Sequence, residues 1–209
     1  IMATYNAIKY NVDYGGFAGS LMPLSTFTSD GSDATASFAS GIDSTYKEYL
    51  FIYNNIHPET DGQFFTVNLR DGSTAYDASK TTTHFTAEHD EADSATGLAY
   101  KTGSDLANGT GIQRITDNVG NGNDECCSGL FRLYSPSSTT FVKHFMGVSN
   151  TYQNSDYFMA CSIANMHSEG AYQTFRAGYI NTTTAITRVR FKFSGGEIQG
   201  GTIQMFGII

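Results

Sequence analysis

The apolar positions of this chain recur mostly at every second residue, and they are densest at its end. Ile186, Val189, Phe191 and Phe193 precede the turn Ser194-Gly195-Gly196-Glu197. Ile198 follows, then Gly200-Gly201, and Ile203, Met205 and Phe206 run on to Ile209. This predicts two strands joined as a closing hairpin by a glycine turn. So apolar a chain end stays ordered only when tied down, so the last strand is expected to be a central, buried member of a sheet. Residues 46–56 predict a second interior strand. Tyr46, Glu48, Leu50, Ile52, Asn54 and Ile56 lie on one side, and Lys47, Tyr49, Phe51 and Tyr53 on the other, so both faces are apolar in the middle.

Other alternating runs fall at 34–40, 63–70 (Phe65, Val67 and Leu69 inward), 81–87, 129–134, 139–148, 157–163 and 171–180. Leu21 to Thr28 reads as an edge strand, because Pro23 withholds a ladder donor. Turn clusters stand at Ser29–Asp33, His57–Gly62 and Ser135–Ser138. About ten strands at spacings of roughly 10–15 residues, with no persuasive helix, predict an all-β protein: an antiparallel β-sandwich of jelly-roll type with a short N-terminal arm. Residues 1–33 form the arm and edge strand, and 34–209 the sandwich. Within it, 88–128 reads as a long acidic, glycine-rich loop region of functional or interfacial character, with short strands at 98–101 and 111–116.

In the arm, Tyr5, Tyr10, Tyr14 and Phe17 are interleaved with Asn6, Asn11, Gly15, Gly16 and Gly19, and no period holds for long. The arm is either a strap across its own domain or an anchor whose aromatic side chains fill pockets on a neighbouring subunit. Met2-Ala3-Thr4 has the form of a translation start.

Composition sharpens this. Charged residues make up 15%, against the usual quarter or so, and the net charge is −8. An acidic surface repels phosphates, so no nucleic-acid partner is expected. A low charge fraction also suits a surface spent on neighbours. No run of about 18 apolar residues predicts membrane insertion, and no leader is apparent. Cys126, Cys127 and Cys161 are odd in number with two adjacent, which predicts reduced thiols rather than a disulfide framework.

Candidate chemistry is sparse. His57, His84, His89, His144 and His167 form no zinc-binding spacing. Cys126-Cys127 beside Asp124-Glu125 is a poor metal set, because ligands in direct succession splay apart. Asp117, Asn121, Asn123 and Glu125 are the metal candidates, for calcium or sodium, although their order departs from the twelve-residue calcium loop. Glu88, Asp90, Glu91 and Asp93 could supply paired carboxylates, but a solvated acidic patch is the simpler reading. No nucleophile elbow, phosphate loop or dinucleotide fingerprint occurs. The residues alone predict a non-enzymatic surface or assembly protein with no cofactor.

Three groups of residues carry a resemblance. The first is Ser40-Gly-Ile-Asp-Ser-Thr-Tyr-Lys-Glu-Tyr-Leu-Phe-Ile-Tyr-Asn-Asn-Ile-His-Pro-Glu-Thr-Asp61. The second is Asn121-Gly-Asn-Asp124 followed by Ser135-Pro-Ser-Ser-Thr-Thr-Phe-Val-Lys-His-Phe145. The third is Tyr179-Ile-Asn-Thr182 with the ending 193–208. Over about residues 34–209 the chain resembles a family of tailed-phage virion structural proteins, tail-fibre-like or head-decoration-like, common among viruses of marine bacteria and cyanobacteria. The resemblance implies a virion-surface protein made in the host cytoplasm and brings no catalytic motif. A chain with an arm and no shaft repeat favours a head decoration (cement) protein bound to major capsid or tail proteins. The alternative is a tail-fibre or receptor-binding protein recognising host surface glycan. Either location suits a homotrimer, since capsid and fibre sites have threefold symmetry.

Overall fold

The structure, a computed structural model, describes residues 20–72, 74–153 and 170–209. Among these residues there is no helix. Twelve strands follow in chain order: β1 (Leu21–Thr28), β2 (Ala36–Phe38), β3 (Glu48–Pro58), β4 (Gln63–Arg70), β5 (Lys80–Asp90), β6 (Thr96–Tyr100), β7 (Gln113–Val119), β8 (Cys127–Tyr134), β9 (Lys143–Gln153), β10 (Gly170–Ile180), β11 (Arg188–Phe193) and β12 (Ile198–Ile208). They form two antiparallel sheets. The larger has the order β1-β12-β3-β8-β9-β10-β5-β6, the smaller β2-β11-β4-β7.

Alternation fixes the inner faces. Tyr49, Phe51 and Tyr53 of β3, Phe131 and Leu133 of β8 and Phe145 of β9 point from the large sheet into the core. Phe38, Phe65, Val67, Leu69, Val189, Phe191 and Phe193 meet them from the small one. Phe191 is the hub. Its ring lies 5.4 Å from Phe51, 6.4 Å from Tyr53 and 6.1 Å from Phe131 across the gap, and 5.8 Å from Phe65, nearly parallel, within its own sheet. Edge-to-face and offset rings add to the burial energy. The sheets therefore pack face to face over one aromatic core.

As the pattern predicts, β12 is an inner strand, hydrogen-bonded between β1 and β3. Strand β1 is an edge, and its register shifts between Pro23 and Ser25, where the missing N–H falls. Two expectations are corrected. The final hairpin does not form: β11 pairs with β2 and β4, β12 with β1 and β3, so Ser194–Glu197 carries the chain from one sheet to the other. Gly196 turns there at φ 68°, and the Glu59 N–H donates to the Glu197 carbonyl at 3.0 Å. Within 88–128, β5 continues to Asp90, and β6 and β7 overlap the short strands expected at 98–101 and 111–116, with loop between them. Strand β9 starts at Lys143 rather than at 139, because Ser138 Oγ accepts the N–H groups of Thr140 and Phe141 and prolongs the turn. The run at 157–163 lies outside the described residues.

Strands β9, β10, β5 and β6 extend the large sheet. Strand β7 packs against β9 and β10, and the segment after β6 runs along β5, where Lys80 and Gly109 exchange backbone hydrogen bonds, the Thr82 N–H donates to the Leu106 carbonyl and the Leu106 N–H donates to Thr82 Oγ1. The inner face here is polar: His84, Thr86, Ser149, Thr174 and Arg176 are all buried.

Candidate functional site

The other side of the large sheet is where alternation breaks. A sheet face turned to solvent is ordinarily polar. Here the registers line up Ile52, Leu130, Val148, Phe175, Phe85 and Tyr100 across six strands from β3 to β6. The row beside it holds Phe206, Leu50, Arg132, Met146, Ala177 and Thr83. Met146 is 48% exposed, Phe85 37%, Tyr100 51% and Leu98 74%, values far above those of core apolar residues. Single exposed apolar residues are ordinary, whereas a contiguous apolar sheet face marks an interaction surface.

The face is preorganised. The Phe85 and Phe175 rings stack at 4.9 Å and 12°. Arg132 of the second row pairs with Glu48 of the neighbouring row at 2.7 Å, so its charge is matched within the face. Two shallow grooves share Thr83, Met146 and Ala177. One, of about 470 Å³, is also lined by Thr81, Tyr134, His144 and Tyr179. The other, of about 240 Å³, lies among Phe85, Leu130, Val148 and Phe175. The small residues Gly147, Ala177 and Gly178 create the relief. A Cβ at Gly178 would meet Thr81 O at 2.6 Å.

The metal candidates are not brought together. Asp117, on β7, pairs with Lys101 at 3.7 Å. Asn121 Nδ2 donates to the Glu59 carbonyl at 3.1 Å, and Asn123 is exposed. Glu125 turns its carboxylate back on its own loop, accepts the Gly122 N–H at 2.6 Å, and occupies the space that a side chain at Gly120 would need. The motif Gly120-x-Gly122-x-x-Glu125 is therefore a self-closing loop. Among the described residues no group of three or more His, Cys, Asp or Glu side chains is placed to hold a metal.

The acidic stretch resolves in the same way. Asp90 accepts the N–H groups of Ser94 and Ala95, each at 2.8 Å, together with the Ser94 hydroxyl, and so caps the β5–β6 turn. His89 and Asp93 pair at 3.2 Å. Cys126 and Cys127 are free thiols whose pKa values burial pushes up, so neither is poised as a thiolate. The arm residues Tyr5, Tyr10, Tyr14 and Phe17 lie outside the described residues.

Sequence reasoning placed β3 correctly but took its second apolar face for core. The signal for an outer apolar face was nevertheless present: Met146 and Val148, Phe175 and Ala177, and Phe85 all sit at positions that alternation assigns to solvent. No family model, curated protein or solved structure matches the chain.

Proposed function

We propose that the chain is a structural protein of the outer surface of a tailed-phage virion, a head decoration protein held to neighbouring capsid or tail subunits by its N-terminal arm. The observation that carries this reading is the exposed apolar outer face of the large sheet, which is built to adhere. Seven strands from β12 to β6 at ~4.8 Å spacing, with about three outward residues each, give a face of roughly 700 Å², near the ~800 Å² per partner of a stable interface. Its occupant is a second copy of this chain, in a homotrimer, because a face with its own charges paired asks for an equally apolar partner.

The domain is proposed to be a jelly roll. The strand order supports this. With the added pairs β5–β6 and β9–β10 set aside, the larger sheet reads β1-β12-β3-β8 and the smaller β2-β11-β4-β7, the interleaving of two Greek keys. Jelly rolls build viral capsid and lectin domains, although a fold alone does not assign a role. The resemblance of residues 40–61, 121–124, 135–145, 179–182 and 193–208 to tailed-phage virion proteins points the same way.

Mass spectrometry of purified particles tests the reading. A decoration protein is expected in numbers comparable with the capsid subunits, and absence from the particle would overturn it. Removing residues 2–20 is expected to leave a folded domain that no longer binds particles.

The larger groove favours one alternative, a tail-fibre protein recognising host glycan. Tyr134, Tyr179 and His144 offer flat rings, and Thr81 and Thr83 offer hydroxyls, which suits a sugar ring. A few copies per particle, together with glycan binding lost in Tyr179→Ala, would favour that reading.

A further inference from the structure

The polar patch inside the molecule is independent of the docking face. Arg176, on β10, is 2% exposed. A buried guanidinium is costly unless it is paired and its donors are used. One of its nitrogens, Nη1, donates to Ser149 Oγ at 3.1 Å. Nε and Nη2 meet no acceptor. The register sets His84 beside Arg176, Thr86 beside Thr174, and Thr174 beside Ser149, all on the inner face. The Thr86, Thr174 and Thr151 hydroxyls and His84 Nδ1 are likewise buried without partners.

Among the described residues no group neutralises this cation. Asp117, the carboxylate that Arg176 feels, is paired with Lys101. Cys127 and Tyr53 stay protonated, since burial raises both, Tyr53 to about 12. Ser149 is already engaged, accepting from Tyr53 and donating to the Ile115 carbonyl. Burial, and after it the cations Arg176, Arg114 and Lys101, which outweigh Asp105, pull the His84 pKa down to about 3. A protein of net charge −8 thus holds a positive, donor-rich interior. Water could satisfy the hydrogen bonds but would leave the charge unbalanced. A small anion does both.

We propose that the inner face at Arg176 binds a small inorganic anion of the halide class, held by Nε and Nη2 of Arg176 and by the neighbouring threonine hydroxyls. Its binding stabilises the folded state by linkage.

The experiment is thermal unfolding of the full chain in chloride, bromide or gluconate at matched ionic strength, with bromide-soaked crystals as a second readout. Above the dissociation constant, Tm should rise by about 3–6 °C per tenfold increase in chloride or bromide and stay flat in gluconate. Arg176→Met should abolish the halide dependence, and Thr174→Val should weaken it. An anomalous bromide peak is expected within hydrogen-bond distance of Arg176 Nε and Nη2. Equal Tm values in chloride and gluconate would overturn the proposal and leave internal water as the partner. A bromide peak without a Tm dependence would mean an adventitious ion only. If Arg176→Met fails to fold, the wild-type salt series and the bromide position still decide.

Discussion

At the scale of single residues, the core is organised by aromatic rings and the polar interior by charge. Phe191 touches rings from both sheets, so its loss opens a cavity that neither layer can close alone. Phe191→Ala is expected to destabilise the fold by about 3–5 kcal/mol, measured by urea unfolding. His84 is held neutral by burial and by Arg176, Arg114 and Lys101, with its pKa at about 3. Its ordinary value is near 6.5. The unfolded chain therefore binds more protons between these limits, and His84 takes stability away as pH falls from about 6.5 towards 3. His84→Gln should lose stability less steeply than the wild type across that window, by up to about 1.4 kcal/mol per pH unit. Parallel stability curves would refute the assignment.

At the scale of elements, glycines decide where strands bend and where they cross. Gly201 stands at φ 104° beside the register shifts of β12, opposite Asn55 at φ 52°, and a Cβ there would meet Asn55 O at 2.5 Å. Gly201→Ala should cost on the order of 1–3 kcal/mol, whereas Gly103→Ala, which meets open space, should cost little. Period-two alternation made β3 and β4 legible because one face of each packs on the core, and β10 because its apolar residues Phe175, Ala177 and Tyr179 share the outer face. It could not say which sheet a strand joins. The stretch Ser194–Glu197 has the same glycines whether it closes a hairpin or crosses between layers. That choice rests on β11 pairing with β4 while β12 pairs with β3, so that Phe191 and Phe193 enter the shared core from one sheet and Ile203 and Met205 from the other, through contacts far apart in sequence. The acidic loops misled for a related reason. Asp90 and Glu125 have the composition of ligands, but their carboxylates are used by backbone N–H groups a few residues away.

At the scale of the whole molecule, the large sheet has two unlike faces. One closes the core, and the other carries Phe85, Met146, Phe175 and Tyr100 into solvent. The apolar middle of β3 predicted burial on both sides, and the second burial is assigned here to a neighbouring copy. The most direct test is sedimentation of the wild-type chain beside a Phe85→Glu/Met146→Glu variant, both side chains being on the outer face and clear of the core. The wild type should sediment as a trimer and the variant as a monomer that keeps the wild-type far-UV circular dichroism and cooperative unfolding, with a Tm lowered by the lost assembly. A monomeric wild type, or a variant that stays assembled, would contradict the account.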